Sequence, residues 1–152
     1  MQIWVDADAC PKVVKEILFR TSQRLEVSVT LVANQPLSTP PYPLVKAVQV
    51  PAGFDVADNY IVQNLESSDL VITGDIPLAA EVIERGAHAI NPRGETYTPE
   101  NIRQRLSVRD MMEELRSAGR ISGGPPPMGK TDTAQFANSL DRFLTRALRA
   151  NP

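Results

Sequence analysis

Short apolar runs alternate with helically spaced apolar positions over the first ninety residues. Residues 3–5 form an apolar run that stops at Asp6 and predicts a strand. Pro11 then stands where a first-turn proline belongs, and Val13, Val14, Ile17 and Leu18 give a helical stripe behind it. Residues 26–32 are rich in β-branched side chains and predict a second strand, whereas the prolines of 34–43 allow only loop. A third, short strand is predicted over 45–50. Val56, Tyr60, Ile61 and Leu65 recur at helical spacing, with Asp55 as a natural N-cap. Residues 70–73 predict a strand, 76–85 a helix closed by Gly86, and 87–90 another strand. This order implies an α/β fold: a mainly parallel sheet with helices on both faces.

Beyond Pro99 the pattern changes. Residues 100–118 are helical in spacing and rich in Arg, 119–129 read as a flexible Gly/Pro segment, and 132–148 predict a final amphipathic helix. Asp132 with Gln135 three residues on resembles a capping box at that helix start. With 152 residues, the chain suits one domain spanning 1–152, its last third being helices packed on the sheet. No internal repeat is visible.

Composition narrows the chemistry. One Cys and one His exclude a disulfide framework, a Cys-based zinc knuckle and any multi-His metal cage. Acids exceed bases slightly overall, but the surplus lies before residue 100, and the remainder is basic. The N-terminus lacks a basic signal-peptide region, and no apolar run is long enough to cross a membrane, which points to the cytoplasm.

The acids fall at telling places. Asp6 and Asp8 follow the first predicted strand, Asp55 and Asp58 open the helix after the third, and Asp75 follows the fourth. A parallel sheet binds ligands at the carboxyl ends of its strands, so these five could converge. Gathered carboxylates repel unless a cation neutralises them, and an oxygen-only donor set favours Mg²⁺ or Mn²⁺. Locally, Asp55 reads better as an N-cap than as a ligand, and for Asp75 cap and site weigh evenly.

Other signals are weaker. GPPPMGKT (124–131) matches the P-loop pattern formally, but prolines lack the N–H groups that cradle phosphate, and no strand precedes it. Lys130 and Thr131 remain candidates for phosphate contacts. Cys10 precedes a helix, yet a small buried Cys is the simpler reading. His88 alternates with Ala87 and Ala89 in an apolar strand and reads as structural. Arg103, Arg105, Arg109, Arg116 and Arg120 form a solvated face, and a nucleic-acid surface only if they flank the acids.

Taken together, Asp6-Ala-Asp8-Ala-Cys10-Pro11, Gly53-Phe54-Asp55-Val56-Ala57-Asp58, Thr73-Gly74-Asp75-Ile76-Pro77-Leu78-Ala79 and Gly129-Lys130-Thr131-Asp132 resemble the YaiI/YqxD family of uncharacterised bacterial proteins. More remotely, Asp6 after a first strand, Asp58-x-x-Ile61 opening a helix and Thr73-Gly74-Asp75 ending a strand are similar to PIN-domain ribonucleases. That likeness implies a PIN-like three-layer fold in which Asp6, Asp58 and Asp75 bind Mg²⁺ or Mn²⁺ and cleave RNA. Asp8 and Asp55 would be accessory metal ligands, and Lys130, Thr131 and Arg103 would meet the phosphate backbone. One departure stands out: PIN nucleases carry a further helical acid, and before the proline loop this chain offers only Glu16 and Glu26.

The expectation is therefore a metal-dependent nuclease acting on RNA phosphodiester bonds, with no membrane partner. Two alternatives stand beside it. One is a PIN-like nucleic-acid-binding or regulatory module without catalysis. The other is a phosphatase with Asp6 as nucleophile and Asp8 as acid/base.

Overall fold

The computed structural model describes residues 1–124 and 126–150, the side chain of Ala150 excepted. Strands β1 (Gln2–Asp6), β2 (Ser28–Ala33), β3 (Val45–Gln49), β4 (Leu70–Ile72), β5 (His88–Ile90) and β6 (Thr96–Tyr97) form one sheet. Its order is β3-β2-β1-β4-β5-β6, and every neighbouring pair is parallel except β5 with β6. Helices α1 (Lys12–Leu25), α2 (Val56–Asn64), α3 (Ile76–Glu84), α4 (Ile102–Ser117) and α5 (Lys130–Ala150) complete the α/β architecture.

Strand alternation splits the core into two. Ile3, Val5, Val29, Leu31, Leu70 and Ile72 meet Leu18 of α1 and Phe136, Leu140 and Leu144 of α5. Trp4, Val32, Val71 and Ala89 meet Ile61 of α2 and Leu78 and Val82 of α3. Successive side chains point to opposite faces, so Asp6, two residues after Trp4, falls on the α2/α3 side. The strands read as continuous apolar runs because both faces are buried.

Several boundaries differ from the sequence expectation, each for a local reason. The second strand starts at Ser28 because Glu26 ends α1 in a left-handed conformation, φ 54°. Pro11 is the N-cap residue of α1, one position before its first turn. The two-residue β6 escapes any periodicity argument; it forms because the Asn91 side chain accepts from the N–H groups of Arg93 and Glu95, folding a turn that returns the chain. Helix α5 begins at Lys130, two residues earlier than predicted. Asp132 is thus not its N-cap: it lies inside the first turn, accepts from Gly129 N–H and pairs with Arg93 at 2.8 Å. His88 is exposed, its ring tilted against Phe143 at 5.0 Å between centroids. Pro125, part of the demoted P-loop match, lies outside the described residues. The segment does follow a helix, α4, rather than a strand.

Gly94 fixes how closely α5 approaches the sheet edge. A Cβ there would stand 2.5 Å from the Gln135 backbone, and its carbonyl accepts from Ser139 Oγ at 2.6 Å. Among the described residues no helix is long and apolar enough to cross a membrane.

Asp69, which no motif or periodicity marks, is the main buried carboxylate among the described residues. It is 4% exposed and accepts from the Gln2 and Glu66 N–H groups and from Trp4 Nε1, the last at 3.0 Å. Replacing it with Ala would strand three donors, two of them backbone. We expect Asp69→Ala to cost about 3 kcal/mol, seen as a Tm lowered by roughly 6–12 °C. A Tm within 2 °C of the parent's, roughly a 1 kcal/mol effect, would contradict that role.

Candidate carboxylate site

β1 and β4 are neighbours in the sheet, yet the chain leaves β1 toward β2 and reaches β4 only after crossing back. The carboxyl ends of such a pair flank a switch point, where a crevice opens between diverging connections. Asp6 closes β1 at this point. Thr73, 1% exposed, immediately follows β4; its hydroxyl donates to Asp6 Oδ2 at 2.9 Å and accepts from Asp75 N–H at 2.9 Å. One hydroxyl therefore orients the first carboxylate and anchors the residue bearing the second.

Asp75 is the N-cap of α3, accepting from Leu78 N–H at 3.1 Å through Oδ1. Cap and site turn out to be compatible, because its second oxygen stays free of that bond. Asp58 lies in the first turn of α2. Asp55 occupies the N-cap position but makes no capping bond with its side chain; its backbone is left-handed, φ 62°. The expected cap is therefore corrected. Its carboxylate makes no bond to the α2 N–H groups and is exposed.

These groups act on one another electrostatically. Asp58 is pushed up to about 7 by burial first, then by the charges of Asp75, Asp6 and Asp55 and a hydrogen bond with Asp75. Asp6 is raised by burial, against the lowering hydrogen bond from Thr73, with Asp75 and Asp8 adding repulsion. Asp8 itself is exposed and uses Oδ2 to accept from Asn34 N–H at 2.9 Å, tying the loop after β1 to the end of β2. Next to it, Asn34 Oδ1 is the buried side-chain polar atom without a hydrogen-bond partner among the described residues. Glu16 and Glu26 are exposed on or just after α1, on the other side of the sheet, and add no fourth acid.

As the side chains stand, no three His, Cys, Asp or Glu among the described residues close on a single metal position. The acids are gathered but not caged. A cleft of about 160 Å³ runs over Asp55, Asp58 and Asp75, with Phe54 and Arg109 on its walls. Arg109 belongs to the Arg face of α4, and it brings that face to the acids. Arg105 is held by Glu95 in a bidentate pair, at 2.7 and 2.8 Å, whereas Arg103 is exposed. Lys130 and Thr131 are exposed at the start of α5. None of Arg103, Lys130 and Thr131 lines the cleft. Phe54, Thr73 and Glu81, a further acid lining the cleft from α3, are the additions that tertiary structure makes to the sequence-derived set, while Arg109 is the arginine of the expected face that meets the acids. Thr73 had a signal, its place in Thr-Gly-Asp directly after a buried strand.

Cys10 packs against the α1/α5 core, and burial pushes its thiol up to about 12. The helix-start activation considered from sequence is outweighed by desolvation. At pH 8 the thiol should alkylate at least about a hundredfold more slowly than a free cysteine, measured by mass-detected iodoacetamide labelling. Labelling at the free-thiol rate would contradict the burial argument.

An α/β protein with a carboxylate crevice at its switch point is the class that fold and site define. The model of the uncharacterised YaiI/YqxD family matches residues 4–146. Similar proteins include a UPF0178 protein of Hahella chejuensis, 61% identical over 150 residues, covering 99% of this chain and all of that one. One of Bordetella petrii is 62% identical over 150 residues with the same coverage, and one of Yersinia enterocolitica 59% identical over 150, covering 99% of each chain. This chain belongs to the YaiI/YqxD family. No solved structure matches it significantly.

Proposed function

We propose that this protein is a ribonuclease dependent on Mg²⁺ or Mn²⁺, with a PIN-like arrangement of its acids. The observation that carries the reading is the convergence of Asp6, Asp55, Asp58 and Asp75, from three separate segments, on one side of the switch point. A purely structural set of acids would be spread out, because mutual repulsion destabilises the fold.

The donors fit a hard cation: carboxylate oxygens, with no imidazole or thiolate among them. Mg²⁺ keeps most of its waters and takes only one or two protein carboxylates, which suits acids that are gathered but not caged. Asp6 and Asp75 would hold the ion, Asp58 would join once deprotonated, and Asp55 and Asp8 would stand outside them. A bound divalent ion supplies Lewis acidity at the phosphoryl oxygens and a more acidic water. The chain's own part is orientation: Thr73 locks Asp6, and Arg109 offers a cation to the phosphodiester. Asp58 and Asp75 gather with Asp6, and Asp8, though also close enough to repel Asp6, has its Oδ2 taken by Asn34 N–H; this favours the nuclease over an Asp-nucleophile phosphatase.

The test is hydrolysis of end-labelled RNA with Mn²⁺, with Mg²⁺ and with EDTA. Cleavage is expected with either ion and not with the chelator. No cleavage with both ions would overturn the reading.

A further inference from the structure

Phe54 is 94% exposed, far more than any other large apolar residue described. It sits between Gly53, φ 149°, and Asp55, φ 62°, in a turn that projects it from the start of α2. It lines the same cleft as Asp55, Asp58 and Asp75, with Arg109 also on the wall. Arg109 is exposed, and among the described residues its ion-pair partner is its neighbour Asp110, at 3.2 Å, a surface pair that exchanges cheaply for a phosphate. Arg105 stands four residues before Arg109 and Arg116 seven after it along α4.

The cleft holds about 160 Å³, below the roughly 300 Å³ at which pockets start to enclose a small molecule. A free nucleotide would not be engulfed. A polymer lying across the cleft would instead put one phosphodiester over the acids, a neighbouring phosphate against Arg109, and a base on the Phe54 ring. Stacking of that kind requires a base already out of a duplex.

Resting on the ribonuclease reading above, we propose that Phe54 and Arg109 form a base-stacking and phosphate-gripping clamp that restricts the site to single-stranded RNA. Phe54 supplies the platform, Arg109 the cation, and the carboxylates the position of the scissile bond.

The test is fluorescence anisotropy with a fluorescein-labelled 12-nucleotide single strand and the duplex of the same sequence, both in Ca²⁺. The single strand should bind at least about tenfold more tightly than the duplex. Phe54→Ala should weaken single-strand binding roughly tenfold, and Phe54→Trp should restore it. Arg109→Ala should weaken binding and lower the salt dependence by about one phosphate contact. Both side chains are exposed, so neither variant endangers the fold. Equal binding by Phe54→Ala and parent, or preference for the duplex, would overturn the proposal. So would a dimer dissolved by Phe54→Ala with RNA affinity unchanged, which would assign the ring to a protein interface. Phe54-dependent binding without cleavage in Mn²⁺ would leave the clamp standing and sink the ribonuclease. Cleavage unaffected by Phe54→Ala would do the reverse.

Discussion

Asp6→Asn is expected to lower Mn²⁺-dependent RNA cleavage by about 100- to 1,000-fold while leaving the fold intact. Asp6 is the innermost of the acids, and Thr73 holds its Oδ2 in place. An amide oxygen at the same position can still accept the Thr73 hydroxyl, so the local hydrogen bonding survives. What disappears is the negative charge that would hold a divalent ion. Burial and the neighbouring Asp75 and Asp8 make that charge costly, so its removal should leave Tm equal to or above the parent's. Asp75→Asn should behave alike in activity, since an amide oxygen can keep the Leu78 cap. Activity within threefold of the parent in Asp6→Asn would remove the site from the chemistry. A fall in Tm matching the fall in activity would make Asp6 a structural residue instead.

The second large effect concerns Asp58 and pH. Its folded pKa of about 7 lies well above the carboxylate range of an unfolded chain. Between about pH 4 and 7 the native state therefore holds a proton that the unfolded state has released. Stability from this group is fully present below about pH 4 and is lost as pH rises through about 7. Asp58 is half-exposed, so solvent screening reduces the loss to about 1–2 kcal/mol, roughly 2–8 °C in Tm. In Asp58→Asn that portion of the pH dependence should vanish, leaving the variant more stable than the parent at pH 8 without metal. Adding Mn²⁺ should narrow or reverse the difference at pH 8, because the parent's three carboxylates bind the ion more tightly than the two left in the variant. Parallel Tm curves for parent and variant from pH 5 to 8 would show that the cluster does not act on Asp58.

Much of the fold is legible in the chain, for reasons that can be traced residue by residue. The apolar runs that became β1, β2 and β4 are unmistakable because both faces of a parallel sheet exclude water. The Leu78 and Val82 spacing likewise marks α3. Where local geometry ruled, the pattern failed. Glu26 took a left-handed cap and shortened β2, and Asp55 took the same conformation and lost its cap. β6 depends on hydrogen bonds of the Asn91 side chain, which hydropathy does not register.

Asp6, Asp58 and Asp75 could be picked out from the chain because each stands just after a strand or in the first turn of a helix, and a parallel sheet puts those places at one end. Their order along the sequence could not say which would meet. Sheet order decided that by setting β1 beside β4, so that Asp6 meets Thr73 and Asp75, while Asp8 stays close to Asp6 but spends Oδ2 on the Asn34 N–H at the end of β2. It decided too that Arg109, alone of the α4 arginines, lines the acid cleft, and that Phe54 stands bare beside it. Periodicity reports burial against a strand's or helix's own axis, and so it determined the elements and the residue types at their ends. Distances between side chains remote in sequence, and the raised pKa of Asp58 that follows from them, exist only once those elements have packed.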